Sequence, residues 1–267
     1  KAHEEQHGEP VSFWLECGSM LGGSIIRVAR ATSHMPGFSL VAMDPWTGDV
    51  NMWAMEAKLA ERAGSRRTFR FLHMRAGQPT IWDRFIANVA KAGVADTVVP
   101  LPVTASVGLK LLPRLRKEQR LAHLPQVIYL DSAHDQGETF NELQLAWAAL
   151  PRGGLLFGDD WGWDGVHHDV LLFAQCLGPA GAQAQAHGSA IGRLLGEPTL
   201  ARPCIAVRDN AGLLKRQGVY WQRNHSDTAR WCVDGAHEVL LYGRGHWMLV
   251  KGRDDRRVLG APCSLLS

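Results

Sequence analysis

Short apolar runs alternate with segments of helical period through most of the chain. Phe13 to Glu16 is a brief apolar run closed by an acid, Gly18 to Gly23 is glycine-rich, and Ile25 to Ala31 has helical spacing. Ser39 to Met43 predicts a second strand, closed by Asp44 and Pro45, and Met52 to Arg62 a helix. Trp82, Phe85, Ile86, Val89 and Ala90 recur at the helical period. Thr97 to Val103 predicts a strand, and Val107 to Arg120 a basic helix interrupted by Pro113. Val127 to Leu130 predicts a strand that ends at Asp131. Phe140, Leu143, Trp147 and Leu150 mark one face of the next helix, and Arg152-Gly153-Gly154 ends it with glycine just past the last turn. Leu155 to Gly158 predicts a strand followed by Asp159-Asp160, and Val166, Val170, Phe173 and Leu177 lie on one helix. Gly178 to Gly188 reads as a loop or loose helix, and Cys204 to Val207 with Gly218 to Trp221 as a closing antiparallel pair.

Such alternation implies a doubly wound α/β fold, mostly parallel, with helices on both faces of the sheet. Ligands of these sheets bind outside the carboxyl ends of the strands, where the prominent acids and glycines of this chain fall. The last stretch differs. Trp231 to Val233, Val239 to Tyr242 and Trp247 to Val250 are short alternating runs punctuated by Asp234-Gly235 and Gly243-Arg244-Gly245. They predict a small β-meander, so residues 1–223 are expected to form the main domain and 224–267 a β appendage.

Composition narrows the functional classes. With 267 residues and 46% apolar content the chain suits one large domain with an appendage. A formal charge of +3 does not mark a nucleic-acid partner. The cluster Lys110, Arg114, Arg116, Lys117 and Arg120 reads as a solvated helix face. No apolar run is long enough to predict a membrane span. Five scattered cysteines without a CxxC pair argue against a cysteine zinc site and for free thiols in a reducing compartment. A start at Lys1 suits a removed leader or a trimmed chain.

Three groups of residues carry candidate chemistry. Between the first strand and helix runs Glu16-Cys17-Gly18-Ser19-Met20-Leu21-Gly22-Gly23-Ser24, where glycines let a ligand approach the backbone and a helix start offers free N–H groups. Its spacing is not the GxGxxG dinucleotide pattern, which disfavours a nicotinamide-dependent dehydrogenase. Asp44, after the second strand, suits two ribose hydroxyls or a turn. Asp131, Asp159 and Asp160 follow two strands expected to be neighbours; crowded carboxylates there suit Mg²⁺ or another divalent cation, with Asp159 and Asp160 as plain caps of the next helix the alternative. His134 reads as a general base, a ligand or a hydrogen-bonded loop residue, with an ordinary imidazole pKa near neutrality.

In order and spacing these motifs, with Met43-Asp44-Pro45-Trp46, Tyr129-Leu130-Asp131-Ser132-Ala133-His134 and Pro151 to Trp161, resemble the class I S-adenosylmethionine-dependent methyltransferases. The chain resembles more closely the family that includes macrocin-type sugar O-methyltransferases and more distantly catechol O-methyltransferase, over roughly residues 12 to 175. The resemblance implies that Glu16, Gly18, Ser19, Gly22 and Ser24 surround the methionine part of the cofactor. It implies that Asp44 holds the ribose and that Thr104, Ala105 and Ser106 lie by the adenine. Asp131 would border the cofactor and, with Asp159 and Asp160, bind the metal. In the implied mechanism the metal lowers the pKa of an acceptor hydroxyl and His134 takes its proton. Two departures stand out: Glu142 replaces a shorter acid, and the lysine base of the catechol enzymes has no counterpart except His134. The expected function is metal-dependent O-methylation of a small hydroxylated molecule; the alternative is a degenerate methyltransferase fold serving as an assembly subunit. Trp221, Trp231 and Trp247 in or near the tail suit either a protein-docking surface or the core of the meander.

Overall fold

The computed structural model describes residues 11–54, 72–177, 228–231, 239–242 and 246–251. In chain order the elements are β1 (Phe13–Cys17), α1 (Gly23–Ala31), β2 (Ser39–Met43), α2 (Ile81–Lys91), β3 (Val98–Leu101), α3 (Ala105–Lys117), β4 (Val127–Leu130), α4 (Glu138–Ala149), β5 (Leu155–Gly158), α5 (Asp164–Leu177), β6 (Thr228–Trp231), β7 (Val239–Tyr242) and β8 (His246–Val250). A further helical turn begins at Val50.

The eight strands of the described residues form one sheet in the order β3-β2-β1-β4-β5-β8-β7-β6. The first five are parallel, while β8 runs antiparallel to β5 and β7 antiparallel to β8 and β6. Every residue of β4 is buried, as is nearly all of β1. Both faces of these central strands are covered, which is why they read as continuous apolar runs. One core packs against α1 and α2 around Ile25, Leu40 and Phe85; the other packs against α3, α4 and α5 around Leu109, Ile128, Leu143 and Phe173.

Side chains from distant parts of the chain fix the ends of α4. Asp169 is wholly buried on α5, and its Oδ2 accepts from Gly137 N at 2.7 Å and Phe140 N at 2.9 Å, occupying free N–H groups at the start of α4. At the other end, Lys251 Nζ donates to the carbonyls of Trp147 and Leu150 at 2.6 and 2.8 Å, a cation where the helix dipole favours one. Pro113 does not interrupt α3, which runs on to Lys117.

The tail departs most from expectation. Its strands exist, but they extend the main sheet instead of standing beside it. Without β8, the carboxyl half of the sheet would end at β5 with an open edge. Instead Leu155 pairs with Val250 and Gly158 with Trp247. Gly158 makes this pairing possible, since a Cβ there would run into the Trp247 indole. β6 also starts earlier than the Trp231–Val233 run suggested, at Thr228. Residues 178–188, Cys204–Val207, Gly218–Trp221 and most of Met52–Arg62 lie outside the described residues.

Cys17 is a buried free thiol, whereas Cys176 is disulfide-bonded. This corrects the expectation of free thiols and removes the cysteine argument for a reducing compartment. Among the described residues no helix is long and apolar enough to cross a membrane.

Trp247 is only 1% exposed and ties β8 to β5. Trp247→Ala is therefore expected to lower the unfolding free energy by about 3–5 kcal/mol, the usual scale for truncating a buried tryptophan. Denaturant unfolding measures it; a loss below about 1 kcal/mol, as for a surface site, would contradict the placement of β8.

Candidate active site

The sheet order reverses between β1 and β4, so their carboxyl ends flank the crevice where such folds bind ligands. Gly18 leaves β1 with φ 88° and donates its N–H to the Met43 carbonyl at 2.8 Å. Asp131 N donates back to Cys17 O at 2.8 Å. The strand ends lie so close that a Cβ on Gly18 would fall on the Asp131 carbonyl. Gly22, also left-handed at φ 84°, closes a turn onto Ser19 O at 2.7 Å and starts α1.

Asp44 organises the neighbouring loop. Its Oδ2 accepts from Met20 N at 2.8 Å and its Oδ1 from Trp46 N, while Trp46 Nε1 donates to Met20 O at 2.9 Å. Met20 and Trp46 both have positive φ, conformations these hydrogen bonds hold in place. Burial raises the Asp44 pKa against the lowering effect of the two N–H groups. A carboxylate has about four acceptor positions, so two donors do not exhaust it.

Glu16 is fully buried at the end of β1, with Ser19 buried beside it. Burial pushes the Glu16 carboxyl up to about 7 despite the nearby Ser24 and Ser19 hydroxyls. Those hydroxyls lie close but do not close hydrogen bonds, leaving both Glu16 oxygens and Ser19 Oγ without partners among the described residues. Across the sheet, Thr104 caps α3 by accepting from Val107 N at 3.4 Å, Ala105 is buried, and Ser106 Oγ accepts from Asn141 Nδ2 at 3.1 Å.

Beyond β4 and β5 lies the acid cluster. One ligand atom each from Asp131, His134 and Asp160 fall within 4.8 Å of one another. His134 Nε2 lies 2.7 Å from Asp160 Oδ2, and its Nδ1 lies 3.4 Å from Asp49 Oδ2. Asp160 has φ 57°, and the turn there sends successive carboxylates to different partners. Asp159 faces His246 Nε2 at 3.7 Å instead. The close group is thus two aspartates and a histidine, where the sequence suggested three aspartates; Asp159 still lines the same cleft.

The charges in this cleft are poorly compensated. Burial, then Asp159 and Asp160, push Asp131 up to about 7. Burial pushes Glu142 up to about 7 although Ser132 Oγ donates to it. Hydrogen bonds to Asp160 and then Asp49 push His134 up to about 10. Burial would raise Asp49, but the His134 hydrogen bond and Met52 N–H prevail and lower it. The imidazole is therefore not the near-neutral group expected from sequence; two carboxylates hold it as a cation.

Sequence reasoning missed Asp49, Tyr129, Asp169 and His246. Tyr129 OH donates to Asp131 Oδ2 at 3.3 Å. Asp169 left a signal, since it falls at i+3 from Val166 on the apolar stripe of α5. Asp49 left none, because it follows a glycine in an irregular segment.

Glu16, Asp131 and Glu142 bind protons more tightly folded than unfolded, so the ligand-free fold loses stability as pH rises from about 4 to about 7 through these groups. The melting temperature of the ligand-free protein should fall across that window. A flat or rising profile would contradict the buried, uncompensated carboxyls.

Comparison with known proteins completes the picture. A methyltransferase-domain family model matches residues 15–161, from β1 to the turn after β5. Curated proteins give no match. Among solved structures, the O-methyltransferase TomG from Streptomyces achromogenes, involved in tomaymycin synthesis and solved with S-adenosylmethionine, is 15% identical. It covers 94% of this chain and 78% of its own, with a TM-score of 0.39. An O-methyltransferase from Bacillus cereus, solved with S-adenosylhomocysteine, is 13% identical over 90% of this chain and 74% of its own, with a TM-score of 0.38. The family match, spanning more than half the chain, and the 3-2-1-4-5 run of parallel strands agree: the chain belongs to the methyltransferase-domain family and has the fold of the class I S-adenosylmethionine-dependent enzymes.

Proposed function

We propose that this methyltransferase transfers the methyl group of S-adenosylmethionine to a hydroxyl of a small molecule, with a divalent cation held beside the cofactor. The carrying observation is the Asp131–His134–Asp160 group, its ligand atoms within 4.8 Å, next to the Gly18 turn. Mutual repulsion of Asp131, Asp159 and Asp160 disfavours the ionised cluster, and a cation relieves it. The two carboxylates suit Mn²⁺ or Mg²⁺, with His134 beside them left for proton transfer.

The cofactor crevice fits in the same way. Buried polar atoms without partners are costly, and Glu16 and Ser19 present three of them beside the glycine turn. Glu16, Gly18, Ser19, Gly22 and Ser24 would hold the methionine part, Asp44 the ribose through its remaining acceptor positions, and Thr104 to Ser106 the adenine end. When bound, S-adenosylmethionine supplies an electrophilic methyl group, and a divalent cation favours the ionised form of a hydroxyl.

The chain's own residues do the rest. The Gly18 turn brings the β1 and β4 ends together, so an acceptor at Asp131 lies beside the cofactor crevice. Aligning the two partners is a large source of acceleration. His134 accepts a proton from the hydroxyl only after releasing its own to solvent, which requires one of its two carboxylates to let go. Asp160 is the one with a second role in the cluster.

Calorimetry should show S-adenosylhomocysteine binding at micromolar affinity, about −8 kcal/mol. Asp44→Ala should weaken it by about 1–3 kcal/mol, through lost charge-assisted hydrogen bonds or a disordered loop. No binding to the unmodified protein would favour the assembly-subunit reading. With an acceptor in hand, a chelator should abolish methyl transfer and added Mn²⁺ or Mg²⁺ restore it; activity that survives chelation would exclude the cation. His134→Ala should lower turnover about 10²–10⁴-fold with little change in cofactor affinity, and full activity would exclude it as the base.

A further inference from the structure

The carboxyl-terminal strand reaches into the acid cluster. In the antiparallel β5–β8 pairing Gly158 stands opposite Trp247. The ladder ends there, and the Asp159 and His246 side chains approach each other just beyond it. Two consecutive residues of β8 therefore address the two ends of Asp159. Trp247, 1% exposed, donates its Nε1–H to the Asp159 carbonyl at 3.0 Å. His246 Nε2 lies 3.7 Å from Asp159 Oδ2, an ion-pair separation at the rim of the cleft, where the side chains are 43% and 35% exposed. The inner nitrogen, His246 Nδ1, is buried and meets no hydrogen-bond partner among the described residues. Nothing described anchors the ring from behind.

From this geometry we infer that His246 is a positioning residue for the cation site, keeping the Asp159 carboxylate at the edge of the cleft that Asp131 lines. The inference rests on the cation reading given above. The local chemistry explains the need. Asp131, Asp159 and Asp160 line one cleft, and carboxylates so crowded repel one another. His134 takes charge of Asp160 at 2.7 Å. Asp159 would otherwise be free to swing toward solvent, away from its two like-charged neighbours. An imidazole across the strand end, 3.7 Å from one of its oxygens, limits that swing while Asp159 lines the cleft. Carboxylate ligands of metals are commonly fixed in this way, and removing such a support costs about 10–100-fold in metal affinity. The tail strand thereby becomes part of the site, and the order of the sheet gives it that role: β8 pairs with β5 on the side away from β4, which brings His246 beside Asp159.

The test uses the full chain and Mn²⁺ as the probe, with free Mn²⁺ followed by electron paramagnetic resonance at fixed pH. S-adenosylhomocysteine affinity, by calorimetry, is the control for folding of the crevice. His246→Ala should weaken Mn²⁺ binding about 10–100-fold while leaving S-adenosylhomocysteine affinity unchanged. His246→Gln places a donor N–H at similar reach and should recover most of the Mn²⁺ affinity. Equal Mn²⁺ affinity in His246→Ala and the unmodified protein would overturn the inference and leave the cation reading standing. Parallel loss of S-adenosylhomocysteine binding, or no recovery with glutamine, would make His246 a structural residue and overturn it as well. An unmodified protein that takes up no Mn²⁺ would overturn both.

Discussion

Nothing larger than a hydrogen fits on Gly18, because the Asp131 carbonyl lies where a Cβ would go. This backbone-to-backbone approach at the reversal of strand order sets the rest of the site. It lets Cys17 O receive the Asp131 N–H and Met43 O the Gly18 N–H, so three strand ends are stitched together at one point. Asp44 then ties the Met20 and Trp46 turns on one side, while Asp131 carries the acid cluster on the other. The Gly18 crevice and the acid cluster are neighbours because β1 and β4 are. Moving either strand end outward would open the turn and separate the two.

Burial of charge is the second constraint. Glu16, Asp131 and Glu142 all sit where the protonated form is favoured, and His134 is held as a cation by two acids. Left to itself, this arrangement is a cost to the fold. Such perturbed groups gathered in a cleft are a common mark of a functional site. Here the sign of the perturbation is specific, since surplus negative charge calls for a cation and orphaned acceptors call for donors on a ligand. The two demands match the two things a cation-assisted methyl transfer has to bind.

Much of the fold was legible in the sequence. The parallel strands announced themselves because the central ones are buried on both faces and therefore continuously apolar, and the glycines and acids marked their carboxyl ends. The fate of the tail was less legible. Alternating runs reveal that strands exist but not which edge they join, and the Gly158–Trp247 fit that decides it pairs residues far apart in the chain. The site was legible in part for the same reason. Asp131, His134 and Asp160 stood out as types at strand ends. Which of two adjacent aspartates faces the histidine depends on the left-handed turn at Asp160, and residue type does not encode that. Asp49 and His246 reach the site only through tertiary structure, where the one meets His134 and the other Asp159.

The central claim is that one crevice, built on the Gly18–Asp131 contact, holds cofactor and cation side by side. Crystals grown with S-adenosylhomocysteine and Mn²⁺, with data collected for anomalous scattering from manganese, test it most directly. The expected map shows a manganese peak among Asp131, His134 and Asp160 or Asp159, with nucleoside density running from the Glu16–Ser24 turn toward Asp44. A peak elsewhere, or nucleoside density away from that turn, would contradict the account.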